Sequence, residues 1–212
     1  MKVFTEPRQK KLFESVRKFY ETHEYDYGHC FDHVIRVIWW CLFLSKKEKA
    51  DLSILLPAAI LHDIGKFKGA GGSHAKTSYR MCRSFLKKYD YNENEIKKIA
   101  EVILAHSVQY YRKQRTIEGK VMFDADKLDA VNAIGLHRWV FEYSTNGRHD
   151  VTIRKILIDV KKWKHDAGKN PFYTKTGKRI GYKGVQYIEK VFNDTAKDFK
   201  KFRKIYKEFG LE

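Results

Sequence analysis

Apolar positions along the chain recur mostly at three- and four-residue spacing, the period of an α-helix. In "RQKKLFESVRKFYETH" (8–23), Leu12, Val16, Phe19 and Tyr20 form one stripe, with charges opposite. "FDHVIRVIWWCLFLSKKEK" (31–49) is apolar nearly all round from Val34 to Leu44, which predicts a central, buried helix. "LSILLPAAILHDIG" (52–65) predicts a second buried segment, with Pro57 either kinking it or marking a late start and Gly65 ending it. "SHAKTSYRMCRSFLKKY" (73–89) predicts a helix capped by Ser73 with His74 in its first turn.

"NENEIKKIAEVILAHS" (92–107) opens on Asn92 or Asn94 as a cap and turns Ile96, Ile99, Ala100 and Ile103 inward. "FDADKLDAVNAIGLHRWVFEY" (123–143) predicts a helix or a pair broken near Gly135. "VTIRKILIDVKKWKH" (151–165) gives a further amphipathic helix, and "GVQYIEKVFNDTAKDFKKFRKIYKEF" (184–209) a long last one. The turn-rich "NPFYTKTGKRIG" (170–181) reads as a loop, and only residues 117–123 suit a short strand. The fold class is all-α. One domain over 1–212 is expected, with a core at about 20–145 and a helical extension at about 150–212 packed on it.

Composition narrows the function classes. A chain of 212 residues that is 43% hydrophobic and 15% aromatic has enough apolar surface for a real core and is not a disordered chain. The three cysteines, Cys30, Cys41 and Cys82, are odd in number and form no CxxC pair, which argues against a disulfide framework and a thiolate zinc site. The charged opening "MKVFTEPRQKKLFESV" is unlike a signal peptide, and Val37–Leu44 is too short to span a bilayer; a cytoplasmic protein with no membrane partner is expected. The formal charge of +17 suits an anionic partner, such as a phosphorylated small molecule or a nucleic acid. Its lysines are spread along the whole chain, so any nucleic-acid binding is expected to be weak.

The chemistry sits where polar residues interrupt apolar faces. His33 lies one helical turn ahead of Val37. His62 and Asp63 end the second buried segment. Asp126 shares a stripe with Ala130 and Ala133, His74 aligns with Ser78, Met81 and Phe85, and His106 sits beside Ile99 and Ile103. Taken singly, each is more economically a satisfied core histidine or a helix cap. Together they place six potential ligands inward, and buried imidazoles and carboxylates are costly unless paired or metal-bound. Imidazole plus carboxylate without thiolate suits Mn²⁺, Fe²⁺, Mg²⁺, Co²⁺ or Ni²⁺, or a catalytic Zn²⁺.

His33, the pair His62–Asp63 and Asp126, in the contexts "HVIRV", "AAILHDIGKF" and "DADKLDAVNAIGLHR", resemble the H…HD…D motif of the HD-domain superfamily of metal-dependent phosphohydrolases. With "FYTKTGKRI" downstream, the chain is similar over about residues 20–200 to a bacterial and archaeal subgroup that includes nucleotide pyrophosphohydrolases. The resemblance implies an HD-type helical bundle around a buried metal site. It implies His33, His62, Asp63 and Asp126 as metal ligands, and His74 and His106 as holders of a second ion or as substrate contacts. Related sequences often carry an acid where this chain has Cys30, and whether Asp32 takes that place is left open.

On this reading Asp63 touches both metal and attacking water and acts as a catalytic residue together with Lys66. Arg36, Lys66, Lys127 and Arg138 are candidate contacts to substrate phosphates. His29 and Asp129, each one turn from a ligand, are candidates for orienting it, and Asp124 is expected to act as a cap. The implied cofactor is one or two divalent ions. The implied partner is a phosphorylated small molecule, a nucleotide by the subgroup resemblance, with a homodimer as a possible assembly. Two alternatives stand beside hydrolysis: a di-iron oxygenase of the same superfamily, and a nucleotide- or RNA-binding protein without turnover.

Overall fold

Leu12, Val16, Leu55, Leu61, Ile64, Leu86, Ile99 and Ile103 come from five parts of the chain and meet in one apolar core with no exposure. Each such side chain contributes roughly 1.5–3 kcal/mol on burial, so their convergence fixes how the helices pack. The computed structural model describes residues 3–70, 73–110, 116–145 and 172–210. Among these the secondary structure is helical: α1 (Pro7–Thr22), α2 (Phe31–Glu48), α3 (Leu52–Leu61), α4 (His74–Lys87), α5 (Glu93–Ala105), α6 (Ile117–Ala130), α7 (Ala133–Thr145) and α8 (Lys175–Glu208), with 3-10 turns at Tyr27–His29 and Val108–Tyr110. The fold is all-α, as expected. The helix expected at 151–165 lies outside the described residues.

The innermost helix is α3, buried at every position from Ile54 to Leu61. Pro57 lies inside it rather than at its start, and Asp51 caps it by accepting a hydrogen bond from the Ser53 amide at 2.8 Å. α2 is less enclosed than its sequence suggests, because Ile35 and Trp39 remain exposed on one side. The Asn92 cap forms as expected, accepting from the amides of Asn94 and Glu95 while Glu95 accepts from the Asn92 amide. Glu95 also receives both terminal nitrogens of Arg8, which ties α1 to α5. Ser73 precedes α4 but gives it no side-chain cap; its hydroxyl donates to Gln109 instead.

Three sequence expectations are corrected. Residues 117–123 are helical, not a strand. Thr116 caps α6 by accepting from the Gly119 amide at 3.1 Å, and Val121, Met122 and Phe123 are all buried, so the consecutive apolar run comes from a helix enclosed on several sides. The break expected near Gly135 falls at Val131–Asn132. There Asn132 donates to the Leu128 carbonyl and accepts from the Gly135 amide, closing α6 and opening α7. Ala133 is consequently exposed and does not continue the Asp126 stripe. Finally, α8 begins at Lys175, inside the segment read as a loop.

The glycine that made 175–181 look like a loop serves packing. A Cβ on Gly177 would collide with the Asp124 carboxylate. That carboxylate, buried in mid-α6, accepts from the amides of Tyr173 and Thr174 and from the Thr174 hydroxyl, while Thr174 caps α8. Asp124 therefore does act in capping, on a helix entry some fifty residues away. Burial raises its pKa to about 6 against the pull of these hydrogen bonds. We expect Asp124→Ala to cost about 2–4 kcal/mol by leaving two buried amides without an acceptor, read as a lowered urea midpoint. An unchanged midpoint would refute this fastening role.

Candidate metal centre

Five helix segments deliver the site. His33 comes from the first turns of α2, His62 and Asp63 from the end of α3, His74 from the start of α4, His106 from the end of α5 and Asp126 from α6. The turn after α3 is pressed against α4, where a Cβ on Gly65 would strike the backbone at Ser78. The Gly65 amide also donates to the Ser78 hydroxyl at 2.9 Å. Gly65 thus permits a close approach that brings Asp63 opposite His74, rather than simply ending the helix.

Three imidazoles are locked by their outer nitrogen. His33 Nδ1 meets Asp129 Oδ2 at 2.8 Å, His62 Nδ1 meets the Ala59 carbonyl at 2.9 Å, and His106 Nδ1 meets the Ile103 carbonyl at 2.5 Å. Each acceptor requires the proton on Nδ1, which leaves a bare lone pair on Nε2 of the neutral ring. Yet His33 Nε2 and His62 Nε2 stand 3.2 Å apart, as do His74 Nε2 and His106 Nε2. At His33 and His62 two lone pairs face each other, which is repulsive unless a cation lies between them.

Asp63 sits between the two pairs. Its Oδ2 lies 3.6 Å from His33 Nε2 and 3.4 Å from His62 Nε2. Its Oδ1 lies 3.4 Å from His106 Nε2 and 4.0 Å from His74 Nε2, is buried, and makes no hydrogen bond among the described residues. Asp126 Oδ1 adds a contact of 3.3 Å to His33 Nε2. Ligands about 2.1 Å from a common ion are spaced from about 3.0 Å at right angles to about 4.2 Å when opposed, so the donor set fits a divalent cation on this geometry. It fits twice: one group is His33, His62 and Asp63 with Asp126 beside it, the other is Asp63, His74 and His106.

The electrostatics agree. Burial would raise the Asp63 carboxyl, but the His62 and His106 imidazoles override it and hold the group well below the ordinary carboxylate range. Burial likewise opposes ionisation of Asp126 and Asp129, and Lys127 and His33 on the first, His33 and Arg36 on the second, keep both charged. His62 is raised despite its burial because Asp63 and Asp126 favour positive charge there. His74 is lowered to about 4, chiefly by burial and against the pull of Asp63, so at neutral pH its ring is neutral.

The remaining candidates occupy distinct places. Asp129 is buried and receives Arg36 Nε at 2.8 Å and Arg138 as well as His33. Arg36 is thereby committed to Asp129. Lys127 Nζ meets Asp126 Oδ2 at 2.5 Å. Arg138, Lys127 and His29 line a cavity of about 190 Å³ over Asp63, His74, His106 and Asp126. Arg138 Nε is buried without a hydrogen-bond partner among the described residues. Lys66 is not part of this lining, although its charge reaches His74 and Asp26. His29 pairs with Asp26 at 2.6 Å and meets the His33 ring edge-on, with centroids 5.9 Å apart. Asp32 is exposed, and Cys30 ends the turn as the cap residue of α2. Asp26 and the Ala59 and Ile103 carbonyls were not singled out by the sequence, because nothing in their local pattern marks them.

The sequence pattern of the HD domain matches residues 30–131, which span all six inward imidazole and carboxylate residues. The chain belongs to the HD-domain family. A protein from Clostridium beijerinckii described as uncharacterized is 31% identical over 125 residues, 57% of this chain and 73% of its own length. YpgQ of Bacillus subtilis, also described as uncharacterized, is 32% identical over 113 residues, 52% of this HD-domain chain. The match spans 55% of that relative's own length. Two crystal structures share the fold. An HD-superfamily hydrolase from Bacillus thuringiensis superposes with a TM-score of 0.70 at 24% identity, covering 91% of this chain and 96% of that one. YpgQ in complex with ADP superposes with a TM-score of 0.60 at 21% identity, covering 88% and 97%.

Proposed function

We propose that this HD-domain chain is a metal-dependent phosphohydrolase that acts on a nucleotide or a related phosphate ester or anhydride. The observation that carries the reading is the pair of imidazole couples facing across Asp63, with their Nε2 atoms directed inward beneath a basic cavity. His33, His62, Asp63 and Asp126 would hold one ion, and Asp63, His74 and His106 a second. Divalent ions bound there supply a water acidic enough to attack at neutral pH and positive charge against the phosphoryl oxygens. The ADP bound by YpgQ, a protein of the same fold, supports a nucleotide as the ligand class.

The chain's own residues do the rest. Asp129 holds His33 in one tautomer and one orientation. Lys127 occupies the outer oxygen of Asp126, leaving the other for the ligand cluster. Arg138, in the cavity wall, sets its guanidinium charge against the phosphates, as guanidinium groups favour. Lys66 adds positive charge at the His74 side of the mouth. Arg36 supports Asp129 instead of meeting substrate.

A screen of nucleoside mono-, di- and triphosphates with Mn²⁺, Mg²⁺, Co²⁺ and Ni²⁺, reading phosphate and pyrophosphate, tests the proposal. Turnover in ¹⁸O-labelled water should place the label in a phosphoryl product. We expect Lys66→Ala to raise KM or lower kcat about tenfold, as loss of one charge–phosphate contact would, with metal content unchanged. Uptake of O₂ without labelled phosphate would transfer the site to oxygenase chemistry. Tight nucleotide or RNA binding without turnover would make the protein a binding module.

A further inference from the structure

The cavity over the ligand cluster measures about 190 Å³, less than the roughly 300–1,000 Å³ that enclose a whole small molecule. A short phosphate chain fits inside; the organic part of the substrate must then lie on the rim. Close along the chain to two lining residues, His29 and Arg138, is an aromatic pair. Tyr27, in the turn before α2, and Phe141, on α7, have ring centroids 4.7 Å apart at an interplanar angle of 40°, yet are 51% and 47% exposed. Scattered exposed aromatics are ordinary. Two exposed rings in contact beside a cavity are less so, and the way they are held sets them apart further.

The turn "DYGH" (26–29) is clamped on several sides. Asp26 and His29 close it through both side chain and backbone, at 2.6 and 3.1 Å, and Arg138 donates to the Gly28 carbonyl. Gly28 is buried, and His29 faces the cavity. Of the turn's three residues, only Tyr27 projects its side chain into the open, from a backbone that cannot readily yield. Phe141 follows Arg138 by three residues, so it stands about 4.5 Å further along the axis of α7 and about 9 Å beyond Gly135 in the cavity wall. Arg138 therefore braces Asp129 beneath the cavity, lines its wall, and holds the turn that carries the platform.

We propose that the Tyr27–Phe141 pair is the surface on which the base of the substrate stacks, and that it selects nucleotides over base-free phosphates. The proposal rests on the phosphohydrolase reading for the placement of the phosphates. The separation suits it: phosphates at Arg138 and Lys127, a sugar spanning one helical turn, and a base on the rings. Stacking is tolerant of base identity because every base has a π-face, so this platform would discriminate nucleotides from inorganic polyphosphate more sharply than purine from pyrimidine.

The test compares a nucleoside triphosphate with inorganic tripolyphosphate under the same divalent ion, for the wild type and for Tyr27→Ala, Phe141→Ala, Phe141→Leu and Phe141→Trp. The nucleotide-to-tripolyphosphate ratio of kcat/KM should fall about 5- to 100-fold in the alanine variants, the worth of one base–aromatic stack. Phe141→Leu should fail to restore it and Phe141→Trp should restore it. Calorimetric titration with a non-hydrolysable nucleoside triphosphate should show the same loss, independent of turnover. An unchanged ratio, or rescue by leucine, overturns the platform. If the wild type hydrolyses neither compound, the phosphohydrolase reading fails by itself, and the calorimetric comparison still decides whether the rings bind a base.

Discussion

Asp63→Ala should abolish turnover, by at least about 10²–10³-fold, and strip both ions, with only a small loss of stability in the metal-free protein. The reasoning follows from the two oxygens of one carboxylate. Oδ2 faces His33 and His62, and Oδ1 faces His74 and His106, so a single side chain serves both groups. Without metal, Asp63 stays ionised because the His62 and His106 imidazoles outweigh its burial. Its contacts there are long and Oδ1 makes no hydrogen bond among the described residues, so little stability is lost with the carboxylate. Its removal takes away the reason for ions to bind. With metal, the wild type gains RT ln(1 + [L]/Kd), about 2.7 kcal/mol at a hundredfold excess over Kd, and the variant gains nothing. Thermal melts with and without Mn²⁺, beside elemental analysis, read both halves. A variant that keeps one metal equivalent would show that the second group binds without Asp63. One that melts far below the metal-free wild type would show that Asp63 stabilises the fold by contacts other than ions.

The ligands were legible because they break a pattern. His33, His62, Asp63, His106 and Asp126 are polar residues on faces that are otherwise apolar, and a face is a local property that periodicity reveals. What joins them was not local. The acid that orients His33 is Asp129, separated from it by 96 positions. Arg36 and Arg138 read as free cations in the sequence, because a sequence displays charge and not the partner that neutralises it. The structure places both on Asp129, and only Arg138 also reaches the cavity.

The helices were legible for the same reason, and the three misread segments share a cause. Residues 117–123 suited a strand because an apolar run has no period when every side of a helix is buried. Gly135 and Gly177 read as breakers because local propensity penalises glycine in helices. Both instead admit close neighbours: the Ala130 carbonyl at the first, the Asp124 carboxylate at the second. The actual break, at Asn132, is set by one side chain bonding two helix ends at once, which no single-helix propensity anticipates.

Asp129→Ala should behave unlike Asp63→Ala, losing stability and metal affinity together. Asp129 is 1% exposed and receives His33, Arg36 and Arg138. Removing it leaves two guanidinium groups without their common partner, and breaking a buried ion pair from one side costs about 3–5 kcal/mol. It also frees His33 Nδ1, so the ring can rotate or exchange tautomers, and loss of such an outer partner lowers metal affinity about 10–100-fold. Because Arg138 holds the Gly28 carbonyl as well, the turn bearing Tyr27 loosens with it. Asp129→Asn separates these effects. It preserves the shape and one acceptor oxygen, so it should recover part of the stability, while the weaker acceptor leaves metal affinity reduced. Urea denaturation and competitive metal titration of the two variants provide the measurement. If Asp129→Ala binds metal as tightly as the wild type, His33 is fixed by packing alone. If it loses affinity without losing stability, Arg36 and Arg138 find other partners and the ion network is not what holds α2 to α6.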